Sequence, residues 1–240
     1  GACHQFCKAL FQKSDLTKMS QSMMTPKDVL LAYWGHTAFR TSQEEIINSL
    51  LERKDTLAIL PTGGGKSVCF QVPALILEGC CLVISPLIAL MEDQVQRLQE
   101  MDIPAMAIMS GMGYQDTENA LDACMNDALK FLYVSPERLE TRAFRDRLLS
   151  LPITLIAVDE AHCISQWGYD FRPSYLHIAK IREYLPRIPV IALTASATGK
   201  VKEDIADKLI MKNPSIFMTS FARKNLGYAA EKCDDKINRI

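Results

Sequence analysis

Short apolar runs rich in β-branched and aromatic residues alternate with amphipathic stretches along most of the chain. The runs that predict strands are TLAIL (56–60), CCLVIS (80–85), AMAIM (105–109), KFLYVS (130–135), ITLIAVD (153–159), PVIALT (189–194) and SIFMTS (215–220). Helical patterns such as PLIALMEDQVQRLQEM (86–101) and GKVKEDIADKLI (199–210) lie between them. Strands that are apolar on both faces and separated by helices predict an α/β fold. Its central sheet is mostly parallel and covered by helices on both faces, with ligands at the carboxyl ends of the strands.

Two helices are predicted ahead of the first strand. TPKDVLLAYWG begins with Thr25 as an N-cap and Pro26 at the first helical position. SQEEIINSLLER begins with Ser42 and Glu45, which have the spacing of a capping box. Each helix is therefore expected to begin at a side chain that accepts a hydrogen bond from the first turn.

The chain shows no internal repeat, low-complexity tract or Gly/Ser linker, which favours one domain. We expect a lead segment over 1–24 and the domain over 25–228. The polar, charged stretch 229–240 is predicted to be the start of a linker.

Composition narrows the class of protein but identifies no partner. The chain is 48% hydrophobic and 23% charged, which excludes disordered and fibrous proteins. Its net charge of −1 means that any binding to nucleic acid must come from a local patch. No run reaches the roughly 18 apolar residues of a membrane span.

Cysteine usage indicates a reducing, intracellular compartment, because the eight cysteines are scattered through apolar runs. The only close cluster is CHQFC, where Cys3, His4 and Cys7 have a spacing compatible with metal ligands. No second pair follows at the spacing of a zinc site, so a terminal segment without a metal is favoured over a metal site.

A glycine-rich segment, LPTGGGKS (60–67), lies between a predicted strand and a predicted helix. Glycines let backbone N–H groups surround phosphate oxygens, a lysine reaches the terminal phosphates, and a serine hydroxyl at the helix start ligates magnesium. Leucine stands at position 60, where the strict pattern has glycine. An incidental glycine-rich turn is the alternative, and the strand–loop–helix context argues against it. The predicted nucleotide-binding residues are Thr62, Gly63, Gly64, Gly65, Lys66 and Ser67.

A second motif, TLIAVDE, ends another apolar strand with two acids. A strand that ends in solvated acids is common, but here the phosphate loop lies upstream. We therefore expect Asp159 to hold Mg²⁺ and Glu160 to orient and deprotonate the attacking water, with Lys66 at the phosphates. The pair of motifs predicts hydrolysis of a nucleoside triphosphate.

The DEAH tetrapeptide (159–162) downstream of PTGGGKS resembles the superfamily 2 helicases. With SPLIALMEDQV (85–95), YVSPERL (133–139), DEAHCISQWGYDFRP (159–173) and ALTASAT (192–198), the chain resembles the RecQ family of DNA helicases from about Tyr33 to Tyr228. The motifs follow one another in the family's order.

The resemblance implies an ATP- and Mg²⁺-dependent motor that unwinds DNA in the 3′-to-5′ direction, in DNA repair and recombination. Such a motor has two RecA-like domains with the nucleotide between them, and this chain covers the first. The implied partners are single-stranded and partly duplex DNA and a second RecA-like domain. The implied location is the nucleus of a eukaryote, or the cytoplasm and nucleoid of a bacterium. Because an arginine of the second domain completes the site, we expect this chain alone to hydrolyse ATP poorly.

The stretch WGHTAFRTSQ (34–43) is similar to the family's adenine-recognition motif. The Gln43 amide has the donor and acceptor that the N6 and N7 edge of adenine requires. Arg40 is expected to stack on the base or to order the loop, and His36 stands where the family usually has tyrosine. An exposed loop histidine is the alternative for His36.

Further site residues come from the resemblance. It implies that Ser85, Pro86 and Arg138 contact the phosphates of single-stranded DNA, although the Ser-Pro pairs also suit the start of a helix. It implies that Thr194, Ser196 and Thr198 couple hydrolysis to unwinding. Thr198 also suits an N-cap for the helix that follows.

The DEAH motif continues into an aromatic loop, in which Trp167, Tyr169 and Phe171 alternate around Gly168. The rings either pack against the domain or stack on bases, at roughly 1–3 kcal/mol each. The resemblance favours stacking, because the family's aromatic-rich loop couples DNA binding to hydrolysis. Tyr169 replaces the family's usual histidine, so the predicted DNA-binding residues are Trp167, Phe171 and Arg172.

His162 lies beside the two acids and is expected to relay their state toward Gln166 and the loop, rather than to be a structural histidine. Two other functions stay open. One is a superfamily 2 ATPase that acts on RNA or translocates on duplexes, and the other is a non-catalytic nucleic-acid-binding module. The intact Lys66, Asp159 and Glu160 argue against the second.

Overall fold

The structure, a computed structural model, describes residues 24–167, 170–195 and 197–219. The cluster of Cys3, His4 and Cys7, the predicted linker 229–240, Tyr169 and Ser196 lie outside the described residues. Among the described helices, none is both long and apolar enough to cross a membrane.

Helices and strands alternate along the described chain, as the hydrophobic pattern predicts. The α-helices are α1 (Pro26–Trp34), α2 (Gln43–Leu51), α3 (Lys66–Ile76), α4 (Ile88–Glu100), α5 (Tyr114–Met125), α6 (Arg142–Leu148), α7 (Ile178–Tyr184) and α8 (Gly199–Lys208). Short 3₁₀ helices cover Pro136–Glu140, Ala161–Ile164 and Pro173–His177. The strands are β1 (Thr56–Ile59), β2 (Cys80–Ile84), β3 (Ala105–Ile108), β4 (Phe131–Val134), β5 (Ile153–Val158), β6 (Val190–Thr194) and β7 (Ser215–Met218).

All seven predicted strands form one parallel sheet in the order β3-β4-β2-β5-β6-β1-β7. Alternate residues of a strand supply cores on opposite faces of the sheet. Leu57 and Ile59 belong to one core cluster, whereas Ala58 and Leu60 belong to the other. The predicted parallel sheet, covered by helices on both faces, is therefore confirmed.

Helix starts confirm two of the three predicted caps. The Thr25 hydroxyl accepts a hydrogen bond from Asp28 N, and the Thr198 hydroxyl accepts one from Val201 N. The capping box predicted at Ser42 is wrong: Ser42 has φ 66° and ψ −5°, and its side chain makes no capping bond. An N-cap side chain reaches the first turn from extended backbone, which this left-handed residue does not have.

One buried carboxylate joins three segments at the amino-terminal edge of the sheet. Asp55, just before β1, pairs through Oδ2 with Arg182 Nη2 of α7 at 2.6 Å. Its Oδ1 accepts from Val190 N of β6 at 2.9 Å, and Oδ2 accepts from Lys212 N, ahead of β7, at 2.7 Å. Both members of the Asp55–Arg182 pair are buried. Because each partner neutralises a charge in the interior, neither tolerates loss of the other.

We predict that Asp55→Ala lowers the free energy of unfolding by about 3–5 kcal/mol, because it leaves the Arg182 charge buried without its carboxylate. Urea denaturation measures the change. Asp93→Ala is the control, since Asp93 forms an exposed pair with Arg97 one turn away in α4 and is expected to contribute under about 0.5 kcal/mol. Equal effects of the two substitutions would contradict the structural role of Asp55.

Candidate functional site

The glycine-rich loop 60–67 connects the end of β1 to the first turn of α3. The backbone N–H of Leu60 donates to Thr194 O at 3.0 Å, and that of Gly64 donates to Pro61 O at 2.9 Å. Gly63 and Gly65 both have φ 76°, a left-handed conformation that suits glycine. Since α3 begins at Lys66, its first N–H groups and the helix dipole lie at the loop. This is the arrangement in which proteins bind phosphate.

Two residues of the predicted adenine motif hold the carbonyl groups of this loop. Arg40 Nη1 donates to Gly63 O at 2.5 Å, and Gln43 Nε2 donates to Gly64 O at 3.3 Å and Gly65 O at 3.1 Å. The Gln43 Oε1 accepts from Arg40 N at 2.8 Å, so both ends of this buried amide are engaged. The adenine motif and the phosphate loop are therefore one hydrogen-bonded unit.

A cavity of about 290 Å³ opens beside the loop, between α1, α2 and α3. Its lining includes Leu30, Trp34, His36, Arg40, Gln43 and Val68. The apolar walls and the few polar groups suit a planar heterocycle, with the phosphate loop at its edge through Gly65. Trp34 begins the adenine motif of the sequence, whereas Leu30 and Val68 were not predicted, because only the packing of α1 on α3 brings them to the cavity.

The two acids that follow β5 have different environments. Asp159 is buried, its Oδ1 accepts from Glu160 N at 2.9 Å, and its carbonyl accepts from the Tyr175 hydroxyl at 2.8 Å. Burial, and then the nearby charge of Glu160, raises the pKa of Asp159. A buried carboxylate beside a second acid is stabilised by a cation.

Glu160 lies between a lysine and a histidine. Its Oε1 is 3.4 Å from Lys66 Nζ, and its Oε2 is 3.3 Å from His162 Nδ1. The hydrogen bond with His162 lowers the pKa of Glu160, with a further contribution from the Lys66 charge, while partial burial opposes them. Glu160 is therefore a carboxylate near neutral pH, which a proton acceptor must be.

His162 extends this set of contacts to β6. The imidazole is buried, and its Nδ1 also lies 3.0 Å from Oγ1 of Thr194, the last residue of β6. Lys66, Glu160, His162 and Thr194, from three motifs distant in sequence, thus form one series of contacts. Gln166 is exposed, and its predicted relay role stays a prediction.

The predicted DNA-binding loop follows the two acids at the carboxyl-terminal edge of the sheet. Trp167 is 63% exposed and Phe171 is half-buried. Arg172 Nη1 donates to Pro86 O at 3.1 Å, and Arg172 Nη2 lies 3.5 Å from Asp170 Oδ2. The structure thus places the loop beside the start of α4, with the Trp167 ring turned toward solvent.

Ser85 and Arg138 have other surroundings than an exposed phosphate contact needs. The Ser85 hydroxyl is buried and has no hydrogen-bond partner within the described residues. The Arg138 guanidinium donates to Met109 O at 2.8 Å and to Met112 O at 2.5 Å. Arg138 therefore holds the turn after β3, and the phosphate contacts of both residues stay predictions.

The structure adds residues that the sequence analysis did not single out. Ser165 Oγ donates to Asp204 Oδ2 of α8 at 2.6 Å, and Lys200 Nζ lies 3.2 Å from the centroid of the Trp167 ring. The four-residue spacing of Lys200 and Asp204 in the sequence indicates that both lie on one face of α8. No sequence pattern indicates that Tyr175 donates to the carbonyl of Asp159.

Comparison with known proteins reveals a family match. The model of the "DEAD/DEAH box helicase" family matches residues 40–205, which include the phosphate loop and both acids. The chain is 41% identical over 228 residues to the ATP-dependent DNA helicase RecQ of Pasteurella multocida, covering 91% of this chain and 36% of that protein. It is 40% identical over 226 residues to the probable ATP-dependent DNA helicase RecS of Bacillus subtilis, covering 94% and 44%. The chain thus spans less than half the length of these relatives.

Solved structures agree on the fold. The helicase MrfA bound to DNA has a TM-score of 0.65 at 17% identity, over 83% of this chain and 30% of that one. The Hef helicase domain of Pyrococcus furiosus has a TM-score of 0.57 at 23% identity, over 75% and 38%. These similarities confirm the predicted RecA-like fold.

We predict that Gly65→Ala weakens binding of ATP about tenfold or more, because a side chain in left-handed backbone costs about 1–2 kcal/mol. The added Cβ would also lie 2.4 Å from Gln43 Nε2. Gly113→Ala is the control: a Cβ there would meet Asp116 Oδ2 at an ordinary 3.6 Å, with no positive φ. Titration calorimetry measures the affinities, and equal affinities for the two variants would contradict the prediction.

Proposed function

Because this chain belongs to the DEAD/DEAH box helicase family, we propose that it is the first RecA-like motor domain of a RecQ-type, ATP-dependent DNA helicase. The observation that carries the proposal is the series of contacts from Lys66 through Glu160 and His162 to Thr194. It joins the phosphate loop, the acids of the DEAH segment and the end of β6. The RecQ and RecS relatives, both DNA helicases by name and about 40% identical to this chain, support the DNA helicase class.

ATP binds with its base in the cavity beside Trp34 and Gln43 and its phosphates on the loop 62–67. To contact the base edge, the Gln43 amide exchanges at least one of its present hydrogen bonds to the loop carbonyls. Base recognition and loop position are coupled through this one side chain. An ATP analogue without the adenine ring is therefore expected to leave the hydrogen bonds between Gln43 and the loop carbonyls unchanged.

The donors around Asp159 fit Mg²⁺. Asp159 and Ser67 offer hard oxygen ligands, and the buried Asp159 carboxylate favours a nearby cation. These two residues would hold the ion, which neutralises phosphate charge when bound.

Glu160 acts as the general base of hydrolysis. It accepts a proton from water as the water oxygen forms a bond to the terminal phosphorus, and ADP leaves with the electrons of the broken P–O bond. His162 holds Oε2 of Glu160 in place. Lys66, now 3.4 Å from Oε1, exchanges this carboxylate for phosphate oxygens when ATP binds.

Single-stranded DNA binds at the loop that follows the acids. Trp167 and Phe171 stack on bases, and Arg172 neutralises phosphate. The contacts do not read sequence, which suits a protein that moves along partly duplex DNA in the 3′-to-5′ direction. A second RecA-like domain completes the ATP site, and the whole protein acts inside the cell in DNA repair and recombination.

The test measures ATP hydrolysis by a longer protein that includes the second RecA-like domain, with oligo-dT, with oligo-rU and without nucleic acid. We predict stimulation by the DNA and loss of most of that stimulation in Trp167→Ala, because the stacking surface is removed. Equal stimulation by RNA would favour the RNA-directed ATPase instead. Unchanged stimulation in Trp167→Ala would remove the DNA role of the loop.

We also predict that Glu160→Gln in the same protein lowers kcat about 10²- to 10⁴-fold, because the amide cannot accept the proton. The Glu160→Gln variant is expected still to bind ATP, which calorimetry measures. The matched control is Glu183→Gln, an exposed glutamate on α7. Full turnover in Glu160→Gln would exclude Glu160 as the base, and loss in both variants would point to damaged folding.

A further inference from the structure

The helix α8 presents a row of charged side chains to the segment that follows the DEAH residues. Lys200, Asp204 and Lys208 are spaced four residues apart, so they lie along one face of the helix. Lys208 Nζ donates to Ile164 O at 3.2 Å, and Asp204 Oδ2 accepts from Ser165 Oγ at 2.6 Å. With Lys200 at the Trp167 ring, all three charges contact the segment 164–167.

The contacts differ in strength along the row. Ser165 is buried, and its Oγ also accepts from Trp167 N at 3.2 Å, so the base of the loop is tightly fixed. At the tip, Lys200 Nζ lies 3.2 Å from the Trp167 ring centroid, and both side chains are exposed. A cation–π contact in water is weak, so the ring is held reversibly.

The helix α8 is itself tied to the hydrolytic residues. It begins at the Thr198 cap, a few residues after Thr194, whose hydroxyl contacts His162. The aromatic loop is thus connected to the DEAH residues in two ways, directly along the chain and through α8 and β6. The contact between Trp167 and Lys200 belongs to the second connection.

We propose that Lys200 is a positioning residue that holds Trp167 against α8 and competes with a nucleobase for one face of the indole ring. The ammonium group occupies the distance at which a stacked base would lie, so the two exclude each other on that face. Base stacking displaces Lys200 and releases the tip of the loop, while Ser165 stays bound to Asp204. The proposal rests on the proposed function, in which Trp167 stacks on single-stranded DNA.

The strength of the contact sets the size of the effect. An exposed cation–π pair biases an equilibrium about two- to fivefold. Only molecules whose Trp167 ring is uncovered can stack on a base. The apparent affinity for DNA therefore falls by the fraction of molecules in that state. Removal of the lysine is therefore expected to tighten binding of DNA by about two- to fivefold.

The first measurement tests the contact without DNA. The chain has two tryptophans, and Trp34→Phe leaves Trp167 as the only one. In that background, Lys200→Ala is expected to change the Trp167 emission, and Lys200→Arg to preserve it. Lys202→Ala is the matched control, because Lys202 lies about 200° around the helix from Lys200. Identical emission from Lys200→Ala and its parent would overturn the proposal, whatever DNA does.

The second measurement follows binding of fluorescein-labelled oligo-dT to the 240-residue chain over a range of salt concentrations. We predict that Lys200→Ala lowers the apparent Kd about two- to fivefold with an unchanged salt slope, and that Lys200→Arg and Lys202→Ala resemble the wild type. A raised Kd with a salt slope reduced by about one would make Lys200 a phosphate contact and overturn the competition. An unchanged Kd would overturn it as well. Failure of the wild type to bind oligo-dT would refute the DNA role of the loop, an outcome that the emission measurement distinguishes from failure of the contact.

Discussion

The parallel alignment of the strands is the constraint on which every functional contact depends. Because all strands run the same way, the ends of β1, β5 and β6 meet at one edge of the sheet. Lys66, Glu160 and Thr194 follow or end these strands and so come within reach of one another. The opposite edge is held by Asp55, whose carboxylate fixes β1, β6 and the approach to β7. The carboxyl ends of the strands thus hold the site residues, and the contacts of Asp55 hold the amino ends together.

Charge in this protein acts locally. The net charge of −1 offers no general attraction for DNA, yet the site brings a lysine, two acids and a histidine together as neighbouring side chains. Neighbouring acids have opposite pKa shifts because their surroundings differ. Burial raises the pKa of Asp159, whereas hydrogen bonding with His162 and the Lys66 charge lower that of Glu160. These different surroundings suit the two carboxylates to the different tasks that we propose for them.

Several site residues hold each other where ligands are proposed to bind. Gln43 and Arg40 hold the phosphate loop by its carbonyls, Lys66 pairs with Glu160, and Lys200 covers Trp167. For Gln43, Lys66 and Trp167, a proposed ligand group would replace an existing contact. If the proposed ligands bind there, they would redistribute contacts among these residues, which is the physical basis we propose for coupling between nucleotide and DNA.

The sequence alone determined the elements, the sheet class and the chemical motifs, because these depend on local periodicity and on residue spacing within a few turns. The seven strands, the Thr25 and Thr198 caps and the phosphate loop before α3 are examples. Only the tertiary structure decided which partner each side chain has. Ser42 resembles a cap in sequence but is left-handed, and no sequence motif indicated that Arg138 donates to the carbonyls of Met109 and Met112. The row of charges along α8 gains its meaning only when the fold sets it against Ser165 and Trp167. Partners distant along the chain are set by how helices pack on the sheet, and no local pattern encodes that packing.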